Sequence, residues 1–279
     1  MSRACSDTGE RSLAHWSEAG REEMDAFYQV ATLDYRELVR VFDWEGCLAE
    51  RIARRSPVRI LDVACGSGKF PAALRAHTGL GALEGCPMVL DLLDPSRFSL
   101  REARASLAPP MRAGREFECT LQALPAQATG YDVVWAVHAL YALPEADLPA
   151  GARAFLRALA PDGLGFIAHA TRAAHYLAFY EAYLGRFDPD GTPFSSAEAV
   201  AEALRDAGAE VDVRMISYDQ VIDNERVLEG FLQRCLFDDA LSLADMRRDE
   251  VLGAYLAQRR DGDGRARLPQ EVAMMFIRR

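Results

Sequence analysis

The residues with the clearest chemical meaning are an acid and three small residues at every second position: Asp62, Ala64, Gly66 and Gly68. Small residues at this spacing predict a tight turn at residues 64–68, the glycine turn, whose backbone a ligand can approach closely. The apolar run 60–63 predicts a buried strand before it, and residues 71–77 predict a helix after it. A strand, a glycine turn and a helix in this order bind adenosine-type cofactors at the carboxyl edge of a parallel sheet.

The turn lacks the two common signatures of phosphate binding. A dinucleotide-binding loop has the pattern Gly-x-Gly-x-x-Gly, and Pro71 stands where the third glycine is needed. A phosphate loop has the pattern Gly-x-x-x-x-Gly-Lys-Ser/Thr, but Val63 replaces its first glycine and Phe70 its hydroxyl residue. Asp62, just ahead of the turn, also favours a cationic ligand over a pyrophosphate.

At this point the segment resembles motif I of the class I S-adenosylmethionine (SAM)-dependent methyltransferases, Asp/Glu-x-Gly-x-Gly-x-Gly. It departs from that motif at one position, where Ala64 replaces the first glycine. The resemblance implies that SAM is the cofactor. It also implies that the methionine portion of SAM lies over Asp62, Ala64, Gly66, Ser67 and Gly68.

Asp94 is the candidate for binding the ribose of the cofactor. It ends the second predicted strand, 26 residues after Gly68, and Pro95 follows it. An acid at this place can accept hydrogen bonds from ribose hydroxyls, and it matches motif II of the family that the chain resembles. Asp91 is a competing candidate, and either acid would also serve as a helix cap.

The resemblance places the end of the third strand beside the adenine. The family usually has Asp-Ala there, whereas this chain has Gln122 and Ala123. We expect the side-chain amide of Gln122, or the backbone amide of Leu121 or Gln122, to bond the adenine edge. Val137, at the end of the fourth predicted strand, is expected to line the same cofactor site.

The elements that must position these residues follow in a regular order. Apolar or alternating runs predict six further strands, at residues 88–93, 115–121, 131–137, 164–168, 210–217 and 271–277. Residues 151–160 predict a helix, and Ser195-x-x-Glu198 is a capping box that opens another. Together with the resemblance, this order predicts an α/β, Rossmann-like class I methyltransferase fold. Its seven-stranded sheet would be mostly parallel, with an antiparallel last strand.

The chain also has segments that a minimal domain of this kind does not need. We expect residues 1–54 to form a helical leader, which commonly acts as a lid over the SAM site in this fold, and residues 55–279 to form the SAM-binding domain. The leader suggests two short amphipathic helices. Tyr28 and Tyr35 share a face only if one helix runs through both. They would then contact the sulfonium or the acceptor, or simply pack the leader onto the sheet.

Two helical insertions are predicted in the second part of the chain, at about residues 172–190 and 224–262. In related enzymes the first insertion supplies the wall of the substrate pocket, so His175, Tyr176 and Tyr180 are predicted to bind the acceptor. Positions 176, 180 and 183 form one stripe of a helix, and packing in the core explains such a stripe equally well. The second insertion is expected to cap the same opening or to form a dimer contact.

Three residues are candidates for acid–base catalysis. His138 and His169 end the fourth and fifth predicted strands, and Tyr141 lies close by in the sequence. Histidine titrates near neutral pH and suits a general base, although a structural role explains each histidine taken alone. We expect no metal, because His138 stands where a catechol-type metal site of this fold requires an acid.

Bulk properties narrow the class of partner. The net charge of −10 disfavours nucleic acid, whose binding depends on neutralising phosphates. No run of 18 apolar residues exists and the first 20 residues do not resemble a signal peptide, so we expect a cytoplasmic protein without a membrane partner. The six cysteines, at positions 5, 47, 65, 86, 119 and 235, form no close pairs. A monomer or a homodimer fits these properties.

The leading hypothesis is transfer of a methyl group from SAM to a nitrogen or oxygen atom of a small-molecule acceptor in secondary metabolism. An alternative is a SAM-using enzyme of the same fold that alkylates intramolecularly and releases methylthioadenosine. A third possibility is an inactive scaffold, against which the intact Asp62, Gly66, Gly68 and Asp94 argue.

Overall fold

The computed structural model describes residues 8–83 and 88–279. Within them, seven strands form one sheet. The strands are β1 (Val58–Val63), β2 (Met88–Leu93), β3 (Met111–Phe117), β4 (Tyr131–Val137), β5 (Leu159–Ala170), β6 (Glu210–Ile222) and β7 (Ala266–Arg278). Their order across the sheet is β3-β2-β1-β4-β5-β7-β6.

The first five strands pair in parallel, and β7 runs antiparallel to both β5 and β6. This arrangement confirms the predicted Rossmann-like fold with its antiparallel last strand. The strand order reverses between β1 and β4, which creates a crevice at their carboxyl ends. The glycine turn follows β1 directly, so the topology places it at this crevice.

Helices cover both faces of the sheet and its carboxyl edge. In the leader they are α1 (Thr8–His15), α2 (Arg21–Arg40) and α3 (Trp44–Arg54). In the domain they are α4 (Lys69–His77), α5 (Arg97–Ser106), α6 (Leu148–Ala158), α7 (His175–Phe187), α8 (Ala197–Asp206), α9 (Glu225–Leu236), α10 (Leu243–Arg248) and α11 (Glu250–Ala257). The two predicted insertions contain α7 and the helices α9 to α11.

Each face of the sheet has its own apolar core. On one face Phe155 of α6 and Leu204 of α8 pack against inward residues of β4, β5 and β7. On the other face Trp44 of α3 and Phe70 of α4 pack against β1, β4 and β5. Because both faces are covered at the centre of the sheet, the inner strands β1, β2 and β4 are mostly apolar, which made them predictable.

The leader differs from the expectation of two short amphipathic helices. α2 runs without a break from Arg21 to Arg40, so Tyr28 and Tyr35 do lie on one helix. The apolar residues of this helix contact both the sheet and α9. Because the sheet and α9 contact different sides of α2, its apolar residues do not form the single stripe by which one long helix is recognised in sequence.

The predicted third strand and the predicted helix cap were misplaced. β3 spans Met111–Phe117 instead of residues 115–121, because this edge strand is mostly exposed and lacks an apolar run. Ser196, rather than Ser195, caps α8 by accepting from the amide of Ala199. Ser195 is buried, and its hydroxyl donates to the carbonyl of Leu143.

The last two strands are longer than predicted. β6 and β7 pair continuously from Glu210 with Arg278 to Ile222 with Ala266, past the end of β5. The extension carries two buried glutamines, Gln220 and Gln270, at 0% and 1% exposure. Buried polar residues interrupt the apolar alternation by which a strand is recognised in sequence.

Other expectations concern the cysteines and membrane spans. The four cysteines in the described ranges, at positions 47, 65, 119 and 235, are free thiols. Cys5, Cys86 and the first seven residues of the leader lie outside the described residues. In the described part of the chain, no helix combines the length and apolarity needed to cross a membrane.

Candidate active site

The glycine turn is built from residues in the left-handed region of backbone conformation. Ala64, Gly66 and Gly68 have φ angles of 49°, 52° and 73°. A Cβ atom at Gly68 would lie 2.1 Å from Ser106 Oγ, so glycine is needed there for α4 and α5 to approach each other. Gly68 therefore shapes the turn, but it does not line the cavity described below.

Asp94 fixes the turn from the end of β2. One carboxylate oxygen accepts from the Gly66 amide at 3.0 Å and the other from the Ser96 amide at 2.8 Å. Burial raises the pKa of Asp94 to about 6, although these two amide bonds oppose the shift. Asp91, the competing candidate, instead accepts from Arg115 and Tyr131 and does not line the cavity.

A cavity of about 490 Å³ opens at the carboxyl ends of β1, β2, β4 and β5. A volume of this size suits a cofactor or other small molecule. Fifteen of the residues predicted from sequence line it: Tyr28, Tyr35, Asp62, Ala64, Gly66, Ser67, Asp94, Pro95, Leu121, Gln122, Val137, His138, Tyr141, His169 and Tyr176. The elements thus bring together most of the residues that the sequence analysis singled out.

His175 and Tyr180, both predicted to bind the acceptor, do not line this cavity. His175 is fully buried, with its ring stacked on Phe179 and Nδ1 3.0 Å from the Tyr255 hydroxyl. Tyr180 stacks on Phe194 inside the helical core. Of the stripe on α7, Tyr176 lines the cavity, whereas Tyr180 and Tyr183 belong to the apolar core that α7 forms with α9 and α11.

Several buried polar atoms of the cavity walls have no partner in the part of the chain that the structure describes. They include Asp62 Oδ2, Ser67 Oγ, Gln122 Oε1, His138 Nε2 and His169 Nδ1. Buried polar groups without partners are costly, and a polar ligand satisfies them when it binds. Asp62 and Gln122 flank the glycine turn and the adenine position, so these hydrogen-bond acceptors fit a nucleoside that carries an amino acid portion.

The two histidines at the strand ends are neutral. Burial, reinforced by the neighbouring His169, lowers the pKa of His138 to about 3, and burial also lowers the pKa of His169. Nε2 of His169 lies 2.9 Å from the carbonyl oxygen of Ser195, which can only accept. The proton of His169 is therefore on Nε2, and its Nδ1 in the cavity wall is free to accept a hydrogen bond.

His138 has a constrained geometry at the end of β4. Its φ angle is 51°, in the left-handed region, and its amide donates to the carbonyl of Ala168 at 2.9 Å. Its ring meets the Tyr35 ring edge-on, with 5.9 Å between centroids. The helix α2 and the strand β4 therefore present Tyr35 and His138 side by side.

Tyr141 has a different environment from that expected of a base. Its hydroxyl accepts from the Trp16 indole at 2.8 Å and lies 3.2 Å from the Ser12 hydroxyl. Burial raises the pKa of Tyr141 to about 12. These contacts join the loop after β4 to the leader.

Tyr28 lies against the glycine turn, and its ring makes a cation–π contact with a lysine of this protein. A Cβ at Gly66 would come within 3.9 Å of the Tyr28 hydroxyl. The ammonium of Lys69, the only lysine in the sequence, lies 4.5 Å from the centroid of the Tyr28 ring. One face of this ring, which we expected to meet a sulfonium, thus already binds Lys69.

Asp34 is a cavity residue that the sequence analysis missed. It is 3% exposed, precedes Tyr35 on α2, and lines the cavity. Its carboxylate accepts from the Tyr176 hydroxyl and from the Gln220 amide, each at 2.7 Å. The available signal was an acid next to Tyr35 in the aromatic part of the leader.

The sheet order, the glycine turn and the acid after β2 define a class I SAM-dependent methyltransferase. More specifically, the chain belongs to the family described as the methyltransferase domain, which matches residues 36–213. SAM is therefore the cofactor. None of the curated proteins compared with the chain matches it significantly.

Solved structures share the fold at low sequence identity. A proposed methyltransferase from Bacillus halodurans is 12% identical, with a TM-score of 0.54 over 82% of this chain and 97% of the other. Magnesium protoporphyrin IX methyltransferase from Synechocystis, with bound S-adenosylhomocysteine, is 13% identical, with a TM-score of 0.53 over 96% and 99%. The YcgJ protein of Bacillus subtilis is 14% identical, with a TM-score of 0.51 over 84% and 99%. These likenesses bear on the fold alone.

Metal ligation receives no support from the described ranges, in which no group of three or more His, Cys, Asp or Glu side chains is placed to hold an ion. The polar groups of the cavity are instead spread over several elements, with Asp34 on α2, Asp62 on β1 and Asp94 after β2.

Proposed function

We propose that this protein transfers a methyl group from SAM to a nitrogen or oxygen atom of a small-molecule acceptor in secondary metabolism. The main observation in support of this proposal is that one cavity extends from the cofactor residues to a second group of polar and aromatic residues. The same cavity is lined by the glycine turn and by a second wall, the acceptor wall, made of Asp34, Tyr35, His138 and Tyr176.

The residues divide between the two ligands. Asp62, Ala64, Gly66 and Ser67 hold the methionine portion of SAM, and Asp94, with Pro95 beside it, binds the ribose. Leu121, Gln122 and Val137 surround the adenine, and Tyr28 closes the glycine turn. Bound SAM supplies a methyl group on a positively charged sulfur, which is a good leaving group.

The protein must then align the acceptor with that methyl group. Alignment alone contributes up to about 7–11 kcal/mol in favourable cases. His138 and His169 are neutral and line the cavity, and each has a ring nitrogen without a partner among the described residues. We propose that they accept hydrogen bonds from the nucleophile and so orient its lone pair.

The proposed function is tested by incubating the protein with methyl-labelled SAM and a panel of small amines and phenols. We expect S-adenosylhomocysteine together with a labelled acceptor. Methylthioadenosine formed without any acceptor would instead identify the intramolecular alkylation, and absence of SAM binding in calorimetry would refute both activities.

His138→Asn is the most informative variant, because asparagine also tolerates the left-handed backbone at this position. We expect turnover to fall about 10²-fold through lost alignment while the dissociation constant of SAM stays unchanged. His77→Asn, on the exposed side of α4 and outside the cavity, is the matched control. Equal turnover of the two variants would remove His138 from the mechanism.

A further inference from the structure

The carboxyl group of Asp34 is held rigidly in the acceptor wall. Its two oxygens accept from Tyr176 of α7 and Gln220 of β6. The Gln220 amide group also donates to the Tyr176 hydroxyl at 2.8 Å, and its oxygen accepts from Gln270 of β7 at 2.8 Å. Three separate elements therefore fix one carboxyl group whose residue lines the cavity.

This carboxyl group has no cationic partner among the described residues. None of the ion pairs recorded there includes Asp34, and its hydrogen-bond donors are a phenol and an amide. The cationic side chains that line the cavity are engaged elsewhere: Lys69 lies over Tyr28, and Arg234 donates to the carbonyl of His15. A buried carboxylate without a cation is costly to keep ionised.

The surroundings of Asp34 suit an organic cation. Phe27, Tyr35 and Tyr176 line the same cavity, and the rings of Phe27 and Tyr176 are 6.4 Å apart. Aromatic faces attract ammonium groups, and this attraction grows when the site excludes water. Tyr35 also connects this region to His138, because the two rings are in edge-on contact.

We propose that Asp34 binds the protonated amine of a basic small-molecule acceptor, an inference that rests on the methyltransferase function proposed above. The ammonium supplies the cation that the protein does not provide. Two lone pairs remain on the Asp34 carboxylate after the bonds from Tyr176 and Gln220, so a further donor can be accommodated. The acceptor is then an alkylamine or another strongly basic amine.

Binding of such an amine depends on pH in a defined direction. Burial raises the pKa of Asp34 to about 7, against the opposing hydrogen bonds from Tyr176 and Gln220. The other titratable groups that face it are phenols and a thiol on α2, α7, β6 and α9: Tyr35, Tyr176, Tyr218 and Cys235. Burial raises the pKa of each, so all four stay neutral near pH 7. Amine affinity should therefore rise as Asp34 ionises.

The test is calorimetry on the full chain saturated with S-adenosylhomocysteine, using 2-phenylethylamine and 2-phenylethanol as matched probes. We expect the amine to bind at least tenfold more tightly than the alcohol at pH 8. Its affinity should rise about tenfold from pH 6 to pH 8, while alcohol affinity stays flat, because an alkylamine remains protonated throughout this range.

Asp34→Asn keeps the size of the side chain and removes its charge. We expect this variant to lose both the preference for the amine and the pH dependence, and to keep the affinity for S-adenosylhomocysteine. Glu37→Gln, on the same helix but outside the cavity, is the control and should bind both probes as the unmodified protein does. Tyr176→Phe, which removes one donor to Asp34, should weaken amine binding less than Asp34→Asn does.

Equal affinity for amine and alcohol would overturn the proposal, as would the absence of binding by both at millimolar concentration. Unchanged amine binding in Asp34→Asn would overturn it as well. These outcomes differ from failure of the methyltransferase function. That failure appears as loss of SAM binding, or as methylthioadenosine, in experiments that do not involve Asp34.

Discussion

Ala64 and His138 hold left-handed backbone at the carboxyl ends of β1 and β4, with φ angles of 49° and 51°. Neither residue has the conformational freedom of glycine, and such positions cost about 1–3 kcal/mol each. Both line the cavity, so the strain is located where ligands bind. At Ala64 the motif that the chain resembles has glycine, and the structure shows why glycine is the usual residue there.

Asp94→Asn is expected to weaken SAM binding by about 10- to 150-fold, because a hydrogen bond to a charged group contributes about 1.5–3 kcal/mol. The amides of Gly66 and Ser96 would also lose a charged acceptor. Isothermal titration calorimetry measures the change. Asp91→Asn is the control, since Asp91 lies on β2, three residues before Asp94, but bonds Arg115 and Tyr131 outside the cavity.

If Asp91 rather than Asp94 binds the ribose, the two variants should show the opposite effects on SAM binding. A normal SAM dissociation constant in Asp94→Asn, with weakened binding in Asp91→Asn, would contradict the assignment to Asp94. Asp91→Asn should instead lower the free energy of unfolding. The buried Asp91 carboxylate accepts hydrogen bonds from Arg115 and Tyr131, and the variant leaves both groups without a charged acceptor.

Individual residues were predictable where one local motif determines their place. The glycine turn and Asp94 lie beside each other because β1 and β2 are adjacent parallel strands, and the motif implies that neighbourhood. Asp34 was not predictable in this way. Its partner Gln220 is 186 positions away in the chain, on a part of β6 whose length the apolar pattern did not reveal.

At the scale of elements, the first part of the leader, residues 8–20, contacts the domain mainly through polar side chains, whereas α2 and α3 pack into the apolar cores. Trp16 and Ser12 contact Tyr141, and the buried Arg234 of α9 donates to the carbonyl of His15. Trp16 also lines the cavity. We propose that this first part of the leader acts as the lid, since its residues take no part in the apolar cores that hold α2 and α3.

Trp16→Phe is expected to speed release of S-adenosylhomocysteine by about fivefold, because the phenyl ring cannot donate to Tyr141 and one hydrogen bond contributes about 1 kcal/mol. Stopped-flow displacement of the bound ligand measures the rate. Trp44→Phe alters a tryptophan in the sheet core and should lower stability while leaving this rate unchanged. Equal release rates in the two variants would argue against a lid.

The errors in the predicted elements share a physical origin. The inner strands β1, β2 and β4 are buried on both faces, so β2 and β4 were recognised with the correct bounds and β1 with the correct end but a start two residues late. β3 lies at the sheet edge and most of its positions are exposed, so no apolar run marks where the strand begins. Partners distant in sequence also determine the length of β6 and β7, which pair with each other beyond the reach of β5.

At the scale of the whole molecule, three buried carboxyl groups face one cavity. Burial raises the pKa of Asp34 and of Asp62 to about 7 and that of Asp94 to about 6, from an ordinary value of 3.8. The folded state therefore holds protons that the unfolded state has already released. The stability that these groups contribute is fully present below about pH 4 and is lost as pH rises through 6 to 7.

Between pH 6 and pH 8 we expect these carboxyl groups to lower the free energy of unfolding without ligand, whereas the buried neutral histidines raise it over the same interval. For a group with a folded pKa of about 7, the loss over this interval is about 1.4 kcal/mol. The histidines contribute equally in Asp34→Asn, so its change in free energy of unfolding between the two pH values should be more favourable than that of the unmodified protein by about 1.4 kcal/mol. Urea titrations at both pH values, at constant high salt to screen surface charge, provide the measurement. The same slope in both proteins would show that Asp34 does not titrate in this range.

Lys69 supplies the only side-chain primary amine in the sequence. All other basic side chains apart from histidine are arginines, so a reagent that acylates primary amines finds one side-chain target in 279 residues. That amine lies in the cavity wall, over the ring of Tyr28. Its rate of acylation, followed by mass spectrometry, thus reports occupancy of the site for any compound added, before the natural acceptor is known.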